Sequence, residues 1–350
     1  MTSRRATISD VAREAAVSPS TASVVFSGKT PVSDATRQRV LDAAASLGYT
    51  GPDPRAASLR RGRSGIVGVV LGSSLNYLFL DPVQRLMMDG LAEAVAPLGA
   101  GLLLLRTSTD IENAPTLLTA PVDAAVLIGC DAPLRDSLAS AHLRGLPIVV
   151  IEGDAGDDVP RILLDNREAQ RTAAAHVRSL GHTDVAIVTL RTSAAFAGGW
   201  IDDDTEITID VTRERLHGAR DVYPNAPALA TAGSSIDQGL SAGRVLFADP
   251  ARRPTAVIAQ SDLLAAGVIR AAEEAGLSVP GDVSVTGFDG VPVDGLSPYE
   301  LTTLVQQATD KGRAAGAAVA AMLEGVPPAS VLLTCTFREG NTTGPPPARR

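Results

Sequence analysis

From Ile66 onward the sequence repeats one pattern: a short, almost wholly apolar run, a break, a stretch at helical spacing, and then another apolar run. The runs fall at 66–71, 101–105, 124–128, 148–151, 162–164, 185–190, 256–259 and 283–287. A strand that is apolar on both faces has to be covered on both, and helices between such strands supply the covers. The pattern therefore predicts parallel, doubly wound α/β sheets, with enough strands for two lobes. Hydrophobic residues make up 45% of the chain but aromatics only 3%, so helix contacts built from small residues are expected and aromatic binding platforms are not. Residues 193–210, containing Gly198-Gly199 and Asp202-Asp203-Asp204, interrupt the alternation and read as a surface excursion. The segment from Gly340 onward, with Pro345-Pro346-Pro347, reads as a disordered tail over 341–350.

The first 63 residues follow other rules. Ten Lys or Arg stand there against five Asp or Glu, although the whole chain carries a net charge of −8. An acidic chain is a poor partner for a polyanion, but a basic segment joined to an acidic remainder fits a nucleic-acid module fused to a ligand domain. Thr7 and Asp10 form a cap pair for a first helix, whose Ile8, Val11, Ala12 and Ala15 make one apolar stripe. After Ala16-Val17, Ser18 caps a second helix, Pro19 takes its first position and Gly28 ends it. Ala22, Val25 and Phe26 face inward, leaving Ser20, Thr21, Ser23, Val24 and Ser27 as a small outer face able to approach DNA closely. Ser33 caps a third helix that turns Val40, Leu41, Ala44 and Leu47 inward and stops at Gly48. Two short helices joined by a tight turn and braced by a third make an all-α helix-turn-helix head over 1–50. Gly51-Pro52-Asp53-Pro54 then breaks the chain, and the rest of 51–63 can coil once or twice as a charged linker.

In this order the pieces resemble the lactose-repressor and galactose-repressor family, from about Thr7 to Gly340. The specific residues are Ile8-Ser9-Asp10-Val11-Ala12, Val17-Ser18-Pro19-Ser20-Thr21-Ala22-Ser23, Val32-Ser33 with Thr36-Arg37, Leu47-Gly48-Tyr49 and Ser58-Leu59-Arg60. Weaker matches follow at Leu164-Asp165-Asn166, Leu180-Gly181-His182, Thr212-Arg213-Glu214-Arg215-Leu216, Ser261-Asp262, 284–289 and Leu301-Thr302-Thr303. The resemblance implies a transcription regulator that binds a pseudo-palindromic double-stranded DNA operator as a homodimer or a dimer of dimers. It further implies a two-lobed C-terminal domain, like periplasmic sugar-binding proteins, over 64–340. Lobe one is placed at 64–166 and 306–326, lobe two at 167–305 and 327–340. Three departures stand out: Ala16 replaces the usual Gly of the turn, Val24 sits where a contacting Arg is common, and the linker has an extra residue.

Within this frame Thr7, Ser18, Pro19, Ser20, Thr21, Ser23, Val24 and Ser27 are the candidate DNA contacts of the head, hydroxyls serving phosphates or base edges alike. An ordinary solvated helix face is the competing reading. In the linker, the resemblance implies that Leu59 wedges into the minor groove, flanked by Arg55, Ser58 and Arg60; packing on the ligand domain is the alternative. Ser73, Glu152, Arg215, Ser261, Asp289 and Gln306 fall at strand ends or matched positions and are the candidate effector contacts, because open parallel sheets bind ligands at the carboxyl ends of their strands. Carboxylates with one guanidinium fork suit a sugar or similar polar effector. A surface ion pair is the plain alternative for Arg215. Effector binding can release or strengthen operator binding, since coupling takes either sign.

Enzyme chemistries fail on spacing. Gly28-Lys29-Thr30 echoes a phosphate loop, but Ser23 stands where the earlier Gly is required and no strand precedes it. His142, His176, His182 and His217 form no H-E-x-x-H, no G-x-S-x-G occurs, and Asp202-Asp203-Asp204 lacks the spacing of a calcium loop. Cys130 and Cys335 belong to no C-x-x-C pair and read as buried thiols. No metal or cofactor is expected. Without a secretory signal or an apolar run of membrane-spanning length, a cytoplasmic protein with no membrane partner is expected. A solute-binding protein with no DNA function is the rival from another class.

Overall fold

The computed structural model describes residues 6–28, 30–51, 62–72, 75–107, 116–129, 132–193 and 195–348, and it divides into two compact units, 1–65 and 66–350. The first unit holds α1 (Ile8–Glu14), α2 (Pro19–Ser27) and α3 (Asp34–Ser46). Each begins where a side chain can satisfy the unpaired N–H groups of a first turn. The Asp10 N–H donates to Thr7 Oγ1 while the Thr7 N–H donates to Asp10 Oδ2, a reciprocal cap on α1. Ser18 accepts from the Thr21 N–H with Pro19 at the first helical position, and Ser33 accepts from the Thr36 N–H. Gly28, at φ 66°, terminates α2.

Val11, Ala12, Ala15, Ala22, Val25, Val40, Ala43 and Ala44 form the core of this unit, closed by Phe26 packed edge-on against Tyr49 at 5.3 Å. Leu41 and Leu47 do not join it, being 41% and 38% exposed. The expected inward stripe is corrected here. Ala43 takes the place given to Leu41: positions 41 and 43 flank the Val40–Ala44 stripe on opposite sides of the helix, and the core lies on the side of Ala43, while Leu47 lies beyond the last helical residue.

The α1–α2 turn keeps its shape without glycine. Ala16 adopts φ 52°, a left-handed conformation that costs an L-residue roughly 1–2 kcal/mol. Ala16→Gly is expected to stabilise the head by about 0.5–1 kcal/mol, the relief being partly offset by glycine's greater unfolded-state entropy. Urea unfolding followed by helical circular dichroism checks this, and a destabilised head would show that the turn is unstrained.

In the second unit, β1 (Ile66–Leu71), β2 (Gly101–Arg106), β3 (Ala124–Ile128), β4 (Ile148–Ile151), β5 (Arg161–Leu164) and β12 (Val331–Leu333) make one parallel sheet, in the order β12-β5-β4-β3-β1-β2. A second sheet runs β10-β9-β6-β8-β7, from β6 (Val185–Thr189), β7 (Gly199–Trp200), β8 (Ala228–Ala230), β9 (Ala256–Ala259) and β10 (Ser284–Thr286). All its pairs are parallel except β7 on β8. The excursion at 193–210 thus supplies an edge strand. Helices α4 (Leu75–Leu80), α5 (Pro82–Val95), α6 (Ala132–Arg144) and α11 (Ala308–Leu323) belong to the first lobe; α7 (Asn166–Ser179), α8 (Asp210–Arg220), α9 (Ile236–Phe247) and α10 (Asp262–Glu274) belong to the second. The poverty in aromatics shows in the helix pairs. A Cβ on Gly312 of α11 would overlap the Met87 carbonyl of α5, and one on Gly267 of α10 would overlap the Ile236 carbonyl of α9.

Between the lobes the chain crosses at 164–166, 305–308 and 333–336, where β11 (Thr303–Val305) pairs antiparallel with β13 (Thr336–Arg338). Two boundaries are corrected. Residues 331–333 extend the first lobe's sheet in register with 162–164, so 327–340 is not wholly part of lobe two. Residues 341–348 are not a loose tail. The Val285 N–H donates to the Thr342 carbonyl at 2.8 Å, the buried Thr342 hydroxyl donates to the Val285 carbonyl, and the Gly344 N–H donates to Ser284 Oγ. Proline excludes helix and ladder there, but side-chain and backbone bonds to lobe two hold the segment instead.

Candidate functional site

In the head, α2 presents Ser20 and Ser27 fully to the surface, with Thr21, Ser23 and Val24 half-buried beside them. Several of these hydroxyls already have work in the fold. Ser18 Oγ lies 2.7 Å from Ser20 Oγ and 2.8 Å from Thr21 Oγ1, and Ser27 Oγ donates to the Val24 carbonyl. Thr7 Oγ1 donates to Asp10 Oδ2. Ser23 alone among the four hydroxyls of α2 has no hydrogen-bond partner among the described residues. The linker candidates Arg55, Ser58, Leu59 and Arg60 lie outside the described residues, as does Ser73.

The second unit contains a cavity of about 460 Å³ lined by the carboxyl ends of strands from both sheets. Glu152, Arg215, Ser261, Asp289 and Gln306 all line it. Five candidates scattered over 155 positions of sequence thus meet at one place. Two of them are backbone outliers: Glu152 at φ 52° and Asp289 at φ 119° join Ala16 as the non-glycine residues with positive φ among those described. Strained backbone concentrates at functional sites because packing must hold it there.

Their side chains form a chain of polar contacts that spans the lobes. Lys311 Nζ, wholly buried on α11, donates to Glu152 Oε2 at 2.6 Å, and Asn166 Nδ2 donates to Glu152 Oε1 at 2.9 Å. Asn166 Oδ1 accepts from Arg215 Nε at 2.8 Å, and Arg215 Nη1 donates to the Gln260 carbonyl at 2.6 Å and lies 3.5 Å from Asp289 Oδ1. Gln306 Nε2 donates to Asp289 Oδ1 at 2.6 Å. The Arg215 guanidinium also sits 3.5 Å over the Phe288 ring, a cation–π contact favoured where water is excluded.

Burial opposes the charge on Glu152, but Lys311, Arg215 and the hydrogen bonds from Lys311 and Asn166 together hold its carboxyl below the usual carboxylate range. Asp289 goes the other way. Its burial pushes the carboxyl well above the ordinary value despite Arg215, with Asp262 and Asp81 adding to the rise. Behind it Asp262, pushed up to about 7 by burial, accepts from Thr303 Oγ1 and the Val291 N–H.

Two candidates act first as scaffold. Ser261 Oγ caps α10 by accepting the Leu264 N–H and shares a hydrogen with Ser234 Oγ at 2.8 Å. Two nitrogens of the Arg215 fork are committed to protein acceptors. Arg215 is 3% exposed, which rules out the surface ion pair. Lys311, Asp81, Arg106 and Arg191 were not anticipated in the cavity wall or behind it. For Lys311 a signal existed: it lies on the helical stripe Ala308, Lys311, Ala315, where a lysine needs a buried partner.

The remaining motifs serve the fold. His182 is buried, with Nδ1 beside Thr255 Oγ1 and Nε2 beside the Gly344 carbonyl, and His176 packs on Phe337. Cys335 is half-buried, and burial pushes its thiol up to about 12; Cys130 lies outside the described residues. Among the described residues no helix is long and apolar enough to cross a membrane, and no His, Cys, Asp and Glu group could hold a metal ion.

A helix-turn-helix head followed by a two-lobed domain with a polar cleft defines a ligand-sensing DNA-binding regulator. Residues 7–51 match the family of bacterial regulatory proteins called the lacI family, and residues 174–343 match the periplasmic binding protein-like domain. An HTH-type transcriptional regulator of Mycobacterium tuberculosis is 35% identical over 98% of this chain and 98% of its own. The regulator IpsA of Corynebacterium glutamicum is 30% identical over 97% and 98%. Among solved structures, the lac repressor dimer bound to operator and the anti-inducer ONPF superposes with a TM-score of 0.77 at 21% identity, covering 97% of this chain and all of that one. A complex of the regulator CelR with cellobiose gives 0.65 at 23% identity over 97% and 100%. This chain belongs to the lacI family of DNA-binding transcription regulators.

Proposed function

We propose that the chain represses transcription as a cytoplasmic homodimer whose paired α2 helices enter successive major grooves of a pseudo-palindromic operator, and that a small hydroxyl-rich effector in the cleft releases it. The observation that carries the effector half is the convergence of Glu152, Arg215, Asp289 and Gln306, from both lobes, on one cavity. A ligand bonded to both lobes favours their closed arrangement by its differential affinity for it. The structures of relatives point the same way: CelR is held with cellobiose, and a family regulator from Enterococcus faecium with ribose. In the head, Ser20, Thr21 and Ser23 contact phosphates or base edges, and Val24 packs on a thymine methyl.

Gel-shift titration against the promoter beside its own coding sequence, with and without candidate sugars, tests the whole reading. Sugar-dependent loss of the shifted band is the expected result; sugar-strengthened binding would make the ligand a corepressor. Leu59→Ala is expected to weaken operator binding about tenfold, with nonspecific DNA little affected, because a minor-groove wedge acts only where the base step is kinked. Equal loss on both DNAs would remove the wedge.

A further inference from the structure

Most charged groups of the cleft wall are engaged by the protein itself. Glu152 is paired with Lys311, Asp289 is in contact with Arg215, and Asp210 is bonded to Arg213 and to the Asp154 N–H. Asp81 Oδ1 accepts the Val83 and Gln84 N–H groups at the start of α5. Two charged groups of the wall are not engaged. Arg106, at the end of β2 in the first lobe, and Arg191, just after β6 in the second, both line the cavity, and neither guanidinium has a polar partner among the described residues. Arg106 is exposed and Arg191 half-buried, so both lie toward the solvent side of the polar chain described above. Deeper in, Gln306 is 7% exposed and its Oε1 is a buried acceptor with no partner. An orphaned acceptor at the floor calls for a ligand donor, and two free forks at the rim call for a ligand acceptor that can satisfy both.

We infer that the effector carries one anionic oxygen group, a phosphate or a carboxylate, gripped jointly by Arg106 and Arg191, on a hydroxylated body whose O–H donates to Gln306 Oε1. The inference rests on reading this cavity as the effector site and adds the charge class of the ligand. It also supplies a mechanism of closure. Because the two arginines come from different lobes, an anion shared between them draws the lobes together, whereas a neutral sugar gives neither guanidinium a charged partner. Asp81, which also lines the cavity, suits a second hydroxyl rather than the anion. A cavity of about 460 Å³ has room for a monosaccharide-sized body with one such group.

Calorimetric titration of inorganic phosphate into the full chain, at constant ionic strength, isolates the rim. Binding to the wild-type chain is expected, weakened about tenfold in each of R106Q and R191Q, the loss of one charge-assisted hydrogen-bonding partner. Glucose 6-phosphate, glucuronate and glucose then separate the sources: preference for the first assigns a phosphoryl group, for the second a carboxylate, and both are expected to exceed glucose about tenfold. Failure of phosphate to bind the wild-type chain, undiminished binding in both variants, or glucose binding as tightly as its charged counterparts overturns the inference while leaving a neutral-sugar effector intact. The underlying effector reading fails differently. It falls if the probes bind through the two arginines yet operator affinity, measured with each probe saturating, is unchanged.

Discussion

Lys311→Met is expected to lower the stability of the second unit by about 3 kcal/mol, the range of 3–5 kcal/mol for stranding a buried charge being reduced because Glu152 faces the cavity. Lys311 is wholly buried and Glu152 retains 15% side-chain exposure. Removing the ammonium takes away the partner that, with Arg215 and Asn166, keeps the Glu152 carboxyl ionised. The carboxyl then either stays charged without its main counterion or takes up a proton. The double variant Lys311→Met with Glu152→Gln carries no stranded charge and is expected within about 1 kcal/mol of the wild type. Denaturant unfolding of the four members of this cycle measures the coupling. A single Lys311→Met chain as stable as the wild type would mean that water entering the cavity replaces the ammonium, and the lobe-spanning polar chain would lose its anchor.

That pair also marks the limit of what the sequence makes legible. Lys311 and Glu152 are 159 positions apart, and no local pattern joins them. What local patterns do fix is read correctly: the caps at Thr7, Ser18 and Ser33 depend on neighbours within three residues, and each of the eight apolar runs read as strands falls on a strand. The five missed strands, at 199–200, 228–230, 303–305, 331–333 and 336–338, have two or three residues each. Their conformation is imposed by ladders to distant partners rather than by their own composition. The same reason explains the C-terminal segment, where three prolines correctly exclude regular structure but say nothing of the bonds made by Thr342 and Gly344. The Leu41 and Leu47 error has another origin. Hydrophobicity favours leucine over alanine for the inside, yet the face of α3 that enters the core is the one carrying Val40, Ala43 and Ala44. In the cleft, strand-end logic located Glu152, Asp289 and Ser261, while distinguishing a ligand contact from a scaffold contact required the partners of each atom.

The second large effect lies in pH. Asp262 is pushed up to about 7 by burial, against the hydrogen bonds from Thr303 and Val291 that favour its ionised form. A carboxyl whose folded value exceeds its unfolded value near 4 favours the folded state when protonated, so its contribution is complete below pH 4 and is lost as pH rises through 7. Between pH 5 and pH 8 the loss amounts to about 2–3 kcal/mol. Asp289 shifts in the same direction and adds to it. His176 and His182, both lowered by burial, act oppositely, since the unfolded chain binds their protons more readily and stability rises with pH through their range. Wild-type stability alone therefore mixes the two signs. The difference between the wild type and Asp262→Asn separates them: the variant is expected to gain on the wild type by about 2–3 kcal/mol as pH goes from 5 to 8, whatever its offset from losing one acceptor oxygen. Chemical denaturation of both proteins at each pH measures that difference directly. A gap that stays constant with pH would mean that Asp262 is ionised throughout, and the backbone N–H of Val291 with the Thr303 hydroxyl would then be sufficient to hold a buried charge behind the cavity wall.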